Sequence, residues 1–185
     1  VYITTEKKFL YYKFNNKHYK IPTYGKIYKI IDFGRAIYKY KGQLICSDSY
    51  STEGDANTQY NFEPYFNENK PRLEPNYSFD LSRLGCSLFD YFIDDLDDIK
   101  KVKSSIKKII LSWVYDDKNR NILYKNNGEE RYPDFKLYKM IARTVHNHTP
   151  QKVLNNEIFN NYLIAKKKIN NTTAIFSIDD IDPLI

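Results

Sequence analysis

The alternation of hydrophobic and polar positions predicts a β-rich start to the chain. Short runs with β-type composition occupy residues 1–3, Phe9–Phe14, 18–21 and 26–31. The second and third runs face each other across the polar residues 15–17, as the strands of a hairpin do. From residue 34 to residue 76 the periodicity is lost, and Ser, Asn, Asp, Gly and Pro dominate. A connection of this length is usually functional or disordered.

Helical spacing begins after residue 76. Residues 77–93 are apolar on most sides, which predicts a helix buried all round. Residues 99–113 place apolar side chains at spacings of three and four, with lysines on the other face, and therefore predict an amphipathic surface helix. Pro133 predicts the start of a third helix, and Thr149 with Pro150 supplies the cap and first position of a fourth. Strands that precede helices without alternating with them indicate an α+β fold, mainly helical.

Composition narrows the class of protein. The chain has 185 residues, of which 42% are hydrophobic, with 18 Tyr and 11 Phe, so it can form one packed domain or part of a larger one. Cys46 and Cys86 belong to no ligand cluster and are expected to be free thiols. No apolar run is long enough to span a bilayer, and no signal peptide is visible, so we expect a soluble intracellular protein. Because the chain begins at Val1 and contains one methionine, Met140, we interpret it as a fragment.

Residues 30–34, Ile-Ile-Asp-Phe-Gly, contain the first candidate chemistry. They form an apolar run that ends in a carboxylate, an aromatic ring and a glycine. A magnesium–nucleotide site needs a hard oxygen ligand held beside phosphates, and Asp32 at a strand end would supply one. Gly34 would let the backbone turn sharply afterwards. The plain alternative is a strand followed by a turn, with Phe33 in the core.

Residues 79–86, Phe-Asp-Leu-Ser-Arg-Leu-Gly-Cys, make this pattern more specific. They are similar to the D-x-W-S-x-G-C segment of the central buried helix in protein kinases, with Ser82 in place of the usual tryptophan. Together with Asp-Phe-Gly, they make the chain resemble the C-terminal lobe of a eukaryotic-type serine/threonine protein kinase. The style is closest to kinase-like proteins of large DNA viruses.

The resemblance implies a role for several residues. Asp32, Phe33 and Gly34 would form the cofactor-binding motif for Mg²⁺ and ATP, with Asp32 as the metal ligand. Asp80 would accept hydrogen bonds from the catalytic-loop backbone, and Gly85 would be structural. The alternative for Asp80 is a plain helix N-cap.

The long middle segment corresponds to the kinase activation segment. Residues 62–64, Phe-Glu-Pro, occupy the place of its A-P-E motif, although residues 73–75 compete for that place and an ordinary Glu-Pro turn is the alternative. If Glu63 is the A-P-E glutamate, the family implies an arginine partner from a later helix. Arg143 is the first choice, and Arg120 and Arg131 are alternatives.

The expected organisation is one kinase-type C-terminal portion. Residues 1–33 form the hairpin and the strand into Asp-Phe-Gly, residues 34–76 the activation segment, residues 77–164 the helical subdomain and residues 165–185 a tail. The Gly-rich loop, the strand lysine and the catalytic loop that phosphoryl transfer requires do not occur in the sequence. We therefore expect this chain alone to be inactive, with no catalytic residue of its own. Its expected partners are the N-terminal part of the kinase domain, or a separate chain that supplies it, and a protein substrate.

The sequence leaves two other classes of function open. A pseudokinase or virion scaffold would keep the lobe for interaction without catalysis. The lysines of residues 100–108 could form a nucleic-acid patch, but such faces are usually solvated, so neither nucleic acid nor membrane is an expected partner. His146 and His148 have no third ligand nearby in the sequence, and metal binding there is not expected.

Overall fold

The computed structural model describes residues 1–33, 36–46, 74–133 and 136–181. Its strands are β1 (Tyr2–Thr4), β2 (Phe9–Phe14), β3 (Lys17–Pro22), β4 (Lys26–Tyr28), β5 (Ile37–Tyr40), β6 (Gln43–Cys46) and β7 (Ile175–Ser177). Its α-helices are α1 (Phe79–Phe92), α2 (Ser105–Ser112), α3 (Lys136–Thr144) and α4 (Pro150–Val153). Three 3₁₀ helices cover Leu96–Lys101, Glu157–Tyr162 and Lys166–Lys168. The described residues therefore form an α+β structure with small sheets, as the sequence predicted at that level.

The predicted hairpin of β2 and β3 is confirmed. Asn15 and Asn16 form its two-residue turn with φ angles of 48° and 59°, a left-handed conformation that asparagine tolerates. Lys17 belongs to β3 and not to the turn. The tail, for which the sequence predicted no structure, adds β7 parallel to β2, and the Asp179 carboxylate accepts hydrogen bonds from the amides of Asn15 and Asn16 at 2.6 and 3.2 Å.

The strand predicted for residues 26–31 is too long. β4 pairs antiparallel with β1, in the register Tyr2 with Tyr28 and Thr4 with Lys26, and ends at Tyr28. The last bonds of this pairing join Val1 and Lys29, whose amide donates to the Val1 carbonyl at 3.0 Å. Ile30 and Ile31 have no strand partner among the described residues.

The prediction that residues 34–76 lack regular structure is wrong for residues 37–46. β5 and β6 form an antiparallel hairpin there, with Lys41 and Gly42 in its turn at φ angles of 49° and 76°. Residues 47–73 lie outside the described part of the chain.

The helical part has one hydrophobic core between α1, α2, α3 and the loop that follows α2. The buried core residues are Cys86, Phe89, Ile93, Leu111, Val114, Ile122, Ile141 and Val145. The prediction that α1 is buried all round is wrong. Its buried residues Ser82, Gly85, Cys86 and Phe89 follow a single stripe, as expected for a helix packed on one side. Leu84 and Tyr91 are 46% and 83% exposed.

The single amphipathic helix predicted for residues 99–113 is interrupted. A 3₁₀ helix ends at Lys101, and α2 begins at Ser105 after an extended link. Val102 is extended, with φ and ψ of −64° and 118°, so the helical hydrogen-bond ladder cannot continue through it. Ile106 is therefore half exposed, while Ile109 and Leu111 are buried.

Both later helices are present. α3 is described from Lys136, three residues after Pro133, and α4 begins where the sequence predicted, with Thr149 as its cap and Pro150 as its first residue. The Thr149 hydroxyl accepts a hydrogen bond from the Lys152 amide at 3.4 Å. None of the helices in the described ranges combines the length and hydrophobicity needed to cross a lipid bilayer.

Candidate functional site

Asp32 and Phe33 lie on the surface after β4. Ile30 and Ile31, which lead to them, are 84% and 55% exposed, and Phe33 is 67% exposed. The alternative that placed Phe33 in the core is therefore wrong. The prediction that a strand end holds Asp32 is also wrong, because β4 ends at Tyr28. The Phe33 carbonyl accepts a hydrogen bond from the Ala36 amide at 2.9 Å.

The backbone of Asp32 is left-handed, with a φ of 63°. Among the other left-handed non-glycine residues of the described chain, Asn15, Asn16 and Lys41 lie in hairpin turns. Tyr24 and Asn119 lie in turns closed by the backbone hydrogen bonds from Lys26 to Thr23 and from Asn119 to Asp116. Asp32 instead follows residues that belong to no strand. This conformation is uncommon outside glycine, asparagine and aspartate, and such backbone positions concentrate at functional sites. The side chain of Asp32 is exposed.

A single carboxylate is a sufficient protein contribution to a magnesium–nucleotide site. Mg²⁺ commonly binds through one or two carboxylates together with substrate phosphates and waters, and not through a complete protein cage. Within the described residues there is no group of three or more His, Cys, Asp or Glu side chains that could hold a metal ion on its own. Asp32 therefore fits a Mg²⁺ ion that arrives with a nucleotide, and it does not fit a permanently bound structural ion. Gly34 lies outside the described residues.

Asp80 is an exposed residue in the first turn of α1, where the helix dipole stabilises its negative charge. The catalytic loop that the kinase resemblance makes its partner does not occur in the sequence, so the scaffolding role of Asp80 stays a prediction. The alternative that made Asp80 the N-cap is wrong, because Ser78 is the N-cap residue. Asp80 lies outside the buried stripe of α1, which explains its exposure.

Asn76 connects the start of α1 to the end of α3. Its side-chain amide donates to the carbonyls of Ala142 and Val145 at 3.1 and 2.9 Å, at the end of α3. Its side-chain oxygen accepts from the Ser78 amide at 2.9 Å. The fully buried Ser78 hydroxyl accepts from the His148 amide at 3.1 Å. A local signal existed, since an asparagine two residues before a helix cap forms such a turn.

Gly85 lies where α1 and α2 come closest. A Cβ atom built on Gly85 would lie 2.9 Å from the Cβ of Trp113 and 3.0 Å from the carbonyl oxygen of Ile110. Both atoms belong to or adjoin the α2 backbone and cannot move independently of it. The structure therefore gives Gly85 a packing role, in agreement with the structural role that the resemblance implied.

The arginines proposed as partners of Glu63 differ in their contacts. The Arg120 guanidinium pairs with the Asp116 carboxylate at 2.7 Å. The Arg131 side chain donates to the Asn121 carbonyl at 2.7 Å. Arg143 is exposed in the last turn of α3 and makes no hydrogen bond or ion pair with another described residue. Arg143 remains the first choice, although Glu63 lies outside the described residues and the pair stays a prediction.

The competing Glu74 is described, and its carboxylate forms an ion pair with Lys39 of β5 at 2.5 Å. It therefore has a partner on the hairpin and not on a helix.

An acidic pair after α2 was missed by sequence reasoning. The Asp116 side chain is 1% exposed and accepts hydrogen bonds from the Arg120 side chain and from the amides of Lys118 and Arg120. Burial raises the pKa of Asp116, but these bonds outweigh burial and hold that pKa below its ordinary value. These contacts fix the loop between α2 and the core residue Ile122.

His146 and His148 have different partners. His146 Nδ1 lies 2.6 Å from a carboxylate oxygen of Asp117, whereas His148 Nε2 lies 2.8 Å from the carbonyl oxygen of Tyr115. Burial raises the pKa of Asp117, but the hydrogen bonds from His146 outweigh it and lower that pKa overall. The two imidazoles tie the end of α3 to the loop after α2.

Comparison with known proteins adds no family to this description. No family model, no curated protein and no solved structure matches the chain. The kinase resemblance therefore stays a prediction from the residues of the two motifs.

Proposed function

We propose that this chain is a kinase-type C-terminal lobe whose Asp32 binds the Mg²⁺ ion of Mg–ATP in a serine/threonine protein kinase. The single observation that carries the proposal is the left-handed, exposed Asp32 inside the Asp-Phe-Gly motif. The order of elements supports it, because a small β region is followed by a helix that contains Gly85 against a second helix.

Each residue in the proposed site has a limited task. Asp32 would provide one hard oxygen ligand from an exposed position. Mg²⁺ bound there would neutralise charge on the β- and γ-phosphates during transfer to a protein hydroxyl. The catalytic base and the phosphate-binding lysine belong to segments that this chain does not contain, so the chain alone is expected to be inactive.

The proposal is tested on the protein as translated from its own reading frame, including any residues before Val1. Binding of ATP is measured by calorimetry with and without Mg²⁺ for the natural sequence, Asp32→Asn and Glu6→Gln. Glu6 is an exposed acid of the same β region, so its variant controls for the loss of one negative charge. We expect Asp32→Asn to weaken the Mg²⁺-dependent part of binding about tenfold or more, because it removes an anionic ligand.

Unchanged Mg²⁺-dependent binding in Asp32→Asn would refute the metal role. A parallel assay follows transfer of labelled γ-phosphate to a general protein substrate. Binding of Mg–ATP without any transfer would favour the alternative, a pseudokinase or scaffold that keeps the lobe for interaction.

A further inference from the structure

The β1–β4 ribbon exposes aromatic rings and lysines on one face. Tyr2, Thr4, Lys26 and Tyr28 alternate along the two strands, so their side chains share that face. The rings of Tyr2 and Tyr28 lie 6.0 Å apart, and the Lys26 ammonium lies 4.6 Å from the Tyr2 ring centre. Tyr2 is 52% exposed and Tyr28 is 75% exposed. We name these four residues the tyrosine–lysine face.

The same chemistry continues beyond the end of the ribbon. Tyr24, in the turn before β4, is 88% exposed, the highest value among the exposed large hydrophobic residues of the described chain. A cleft of about 350 Å³ lies beside it, with Lys7 and Lys8 in its wall. Tyr24 lies two residues before Lys26, the first residue of β4.

Charge is concentrated in this part of the chain. Residues 1–33 contain seven lysines and two acidic residues, Glu6 and Asp32, for a net formal charge of +5, while the whole chain carries +6. The helical part is close to neutral by comparison. A basic segment with exposed tyrosines is complementary to a polyanion that also carries flat aromatic groups.

We propose that the tyrosine–lysine face, extended by Tyr24, Lys7 and Lys8, binds single-stranded nucleic acid. Unstacked bases would stack on the exposed tyrosine rings, and the lysine ammonium groups would contact the phosphates. This surface differs from the lysines of residues 100–108, on which the expectation of no nucleic-acid partner rested. The surface formed by the lysines of residues 100–108 lacks the paired tyrosines. The proposal does not depend on the kinase function.

Two features favour a single strand over other polyanions. Stacking needs bases that are not already stacked in a duplex, so the exposed rings would add little to the binding of double-stranded nucleic acid. An anionic membrane would attract the lysines too, but the apolar residues of the ribbon, Ile3 and Ile27, alternate with the tyrosines and therefore lie on the opposite face. Neither a duplex nor an anionic membrane would contact both the paired tyrosine rings and Lys26.

The test measures fluorescence anisotropy of a labelled twenty-nucleotide oligo(dT) with the full chain at several salt concentrations. Tyr28→Thr removes the ring but keeps a residue suited to a strand, and Tyr28→Phe keeps the ring. We expect Tyr28→Thr to raise Kd about five- to a hundredfold and Tyr28→Phe to leave it within about twofold. Tyr91→Ala, at an exposed position of α1, is the control and should leave Kd unchanged. Circular dichroism melting confirms that each variant folds.

A second measurement examines the phosphate contacts. The slope of log K against log salt should become shallower by about 0.7 in Lys26→Gln, the loss expected for one phosphate contact on a single strand. Equal effects of Tyr28→Thr and Tyr91→Ala would overturn the proposal. So would tighter binding to a duplex of the same length, or binding to phosphatidylserine vesicles that Tyr28→Thr weakens while oligo(dT) binding is unchanged. Asp32→Asn should leave oligo(dT) binding unchanged, which separates this site from the proposed nucleotide site.

Discussion

Gly85→Ala should destabilise the chain, although alanine is the better helix former. Gly85 lies in the interior of α1, where replacement of glycine by alanine ordinarily stabilises a helix by about 1 kcal/mol. The added methyl group would lie 2.9 Å from the Trp113 Cβ, 3.0 Å from the Ile110 carbonyl oxygen and 3.4 Å from a methyl group of Val114. The first two distances are shorter than normal van der Waals contact. α1 and α2 must therefore separate locally, or the helix backbone must distort.

The size of the effect follows from these opposing terms. Insertion of a methyl group into a packed interior costs about 1–3 kcal/mol. We expect the upper half of that range, since the nearest atoms are a Cβ and a backbone carbonyl that cannot rotate away. Subtracting the gain in helix propensity leaves a net loss of about 1–2 kcal/mol in the free energy of unfolding. For a chain of this length, that loss lowers Tm by roughly 2–8 °C.

The assay is thermal and urea unfolding followed by circular dichroism, with Gly85→Val as a second step in size. Gly85→Val should lose more stability than Gly85→Ala, because it adds two further methyl groups to the same contact. Ser87→Ala, two positions along on the exposed side of α1, is the control, and it should change stability by less than about 0.5 kcal/mol. A Gly85→Ala variant as stable as the natural sequence, or more stable, would refute the close approach of α1 and α2.

Three further predictions concern the core and the loop after α2. Asp116→Asn should lower the free energy of unfolding at pH 7 by about 1–3 kcal/mol. It should also reduce the loss of stability between pH 7 and pH 3, because the lowered pKa of Asp116 gives stability above about pH 4 that is lost as pH falls. Urea unfolding that the substitution leaves unchanged at both pH values would contradict this. Burial raises the pKa of the Cys86 thiol to about 12. In a Cys46→Ser variant, iodoacetamide at pH 8 should therefore alkylate Cys86 only when the chain unfolds. Rapid alkylation of the folded chain would disprove the burial of Cys86. Ile122→Ala, at a fully buried position, should cost about 2–5 kcal/mol in urea unfolding, and a loss below 1 kcal/mol would argue against this core.

Elements with local signals were predictable from the sequence. The β2–β3 hairpin has alternating strands and an Asn-Asn turn, and α4 has a Thr cap followed by Pro150, so the residues that form each signal are close in sequence. β7 has only three residues and is defined by its pairing with β2, more than 150 residues earlier, which no local pattern contains. The β5–β6 hairpin was missed because the surrounding polar stretch obscured its short strands, although Lys41-Gly42 is a suitable turn.

The packing of α1 shows why an apolar count did not predict its burial. The apolar count of residues 77–93 predicted burial on every side, but Leu84 and Tyr91 remain exposed because only one stripe of the helix faces α2 and α3. Resemblance identified Gly85 as structural, and the close approach to Trp113 supplies the physical reason. The described residues give Asn76 and Ser78 the hydrogen bonds that join the start of α1 to the end of α3, whereas the catalytic loop predicted as the partner of Asp80 does not occur in the sequence.

The position of Asp32 depends on a register that the sequence pattern could not contain. Six consecutive residues before Asp32 have strand-type composition, but β4 ends at Tyr28, and its backbone hydrogen bonds with the first residues of the chain reach only Lys29. Ile30 and Ile31 belong to no strand and are 84% and 55% exposed, and Asp32 after them is left-handed, with a φ of 63°. The backbone of Asp32 is therefore positioned by its own left-handed conformation and not by pairing within a sheet. A ligand held in this way can adjust to a nucleotide-bound ion, and substitution of Asp32 should consequently affect Mg²⁺-dependent binding without lowering the stability of the β1–β4 ribbon.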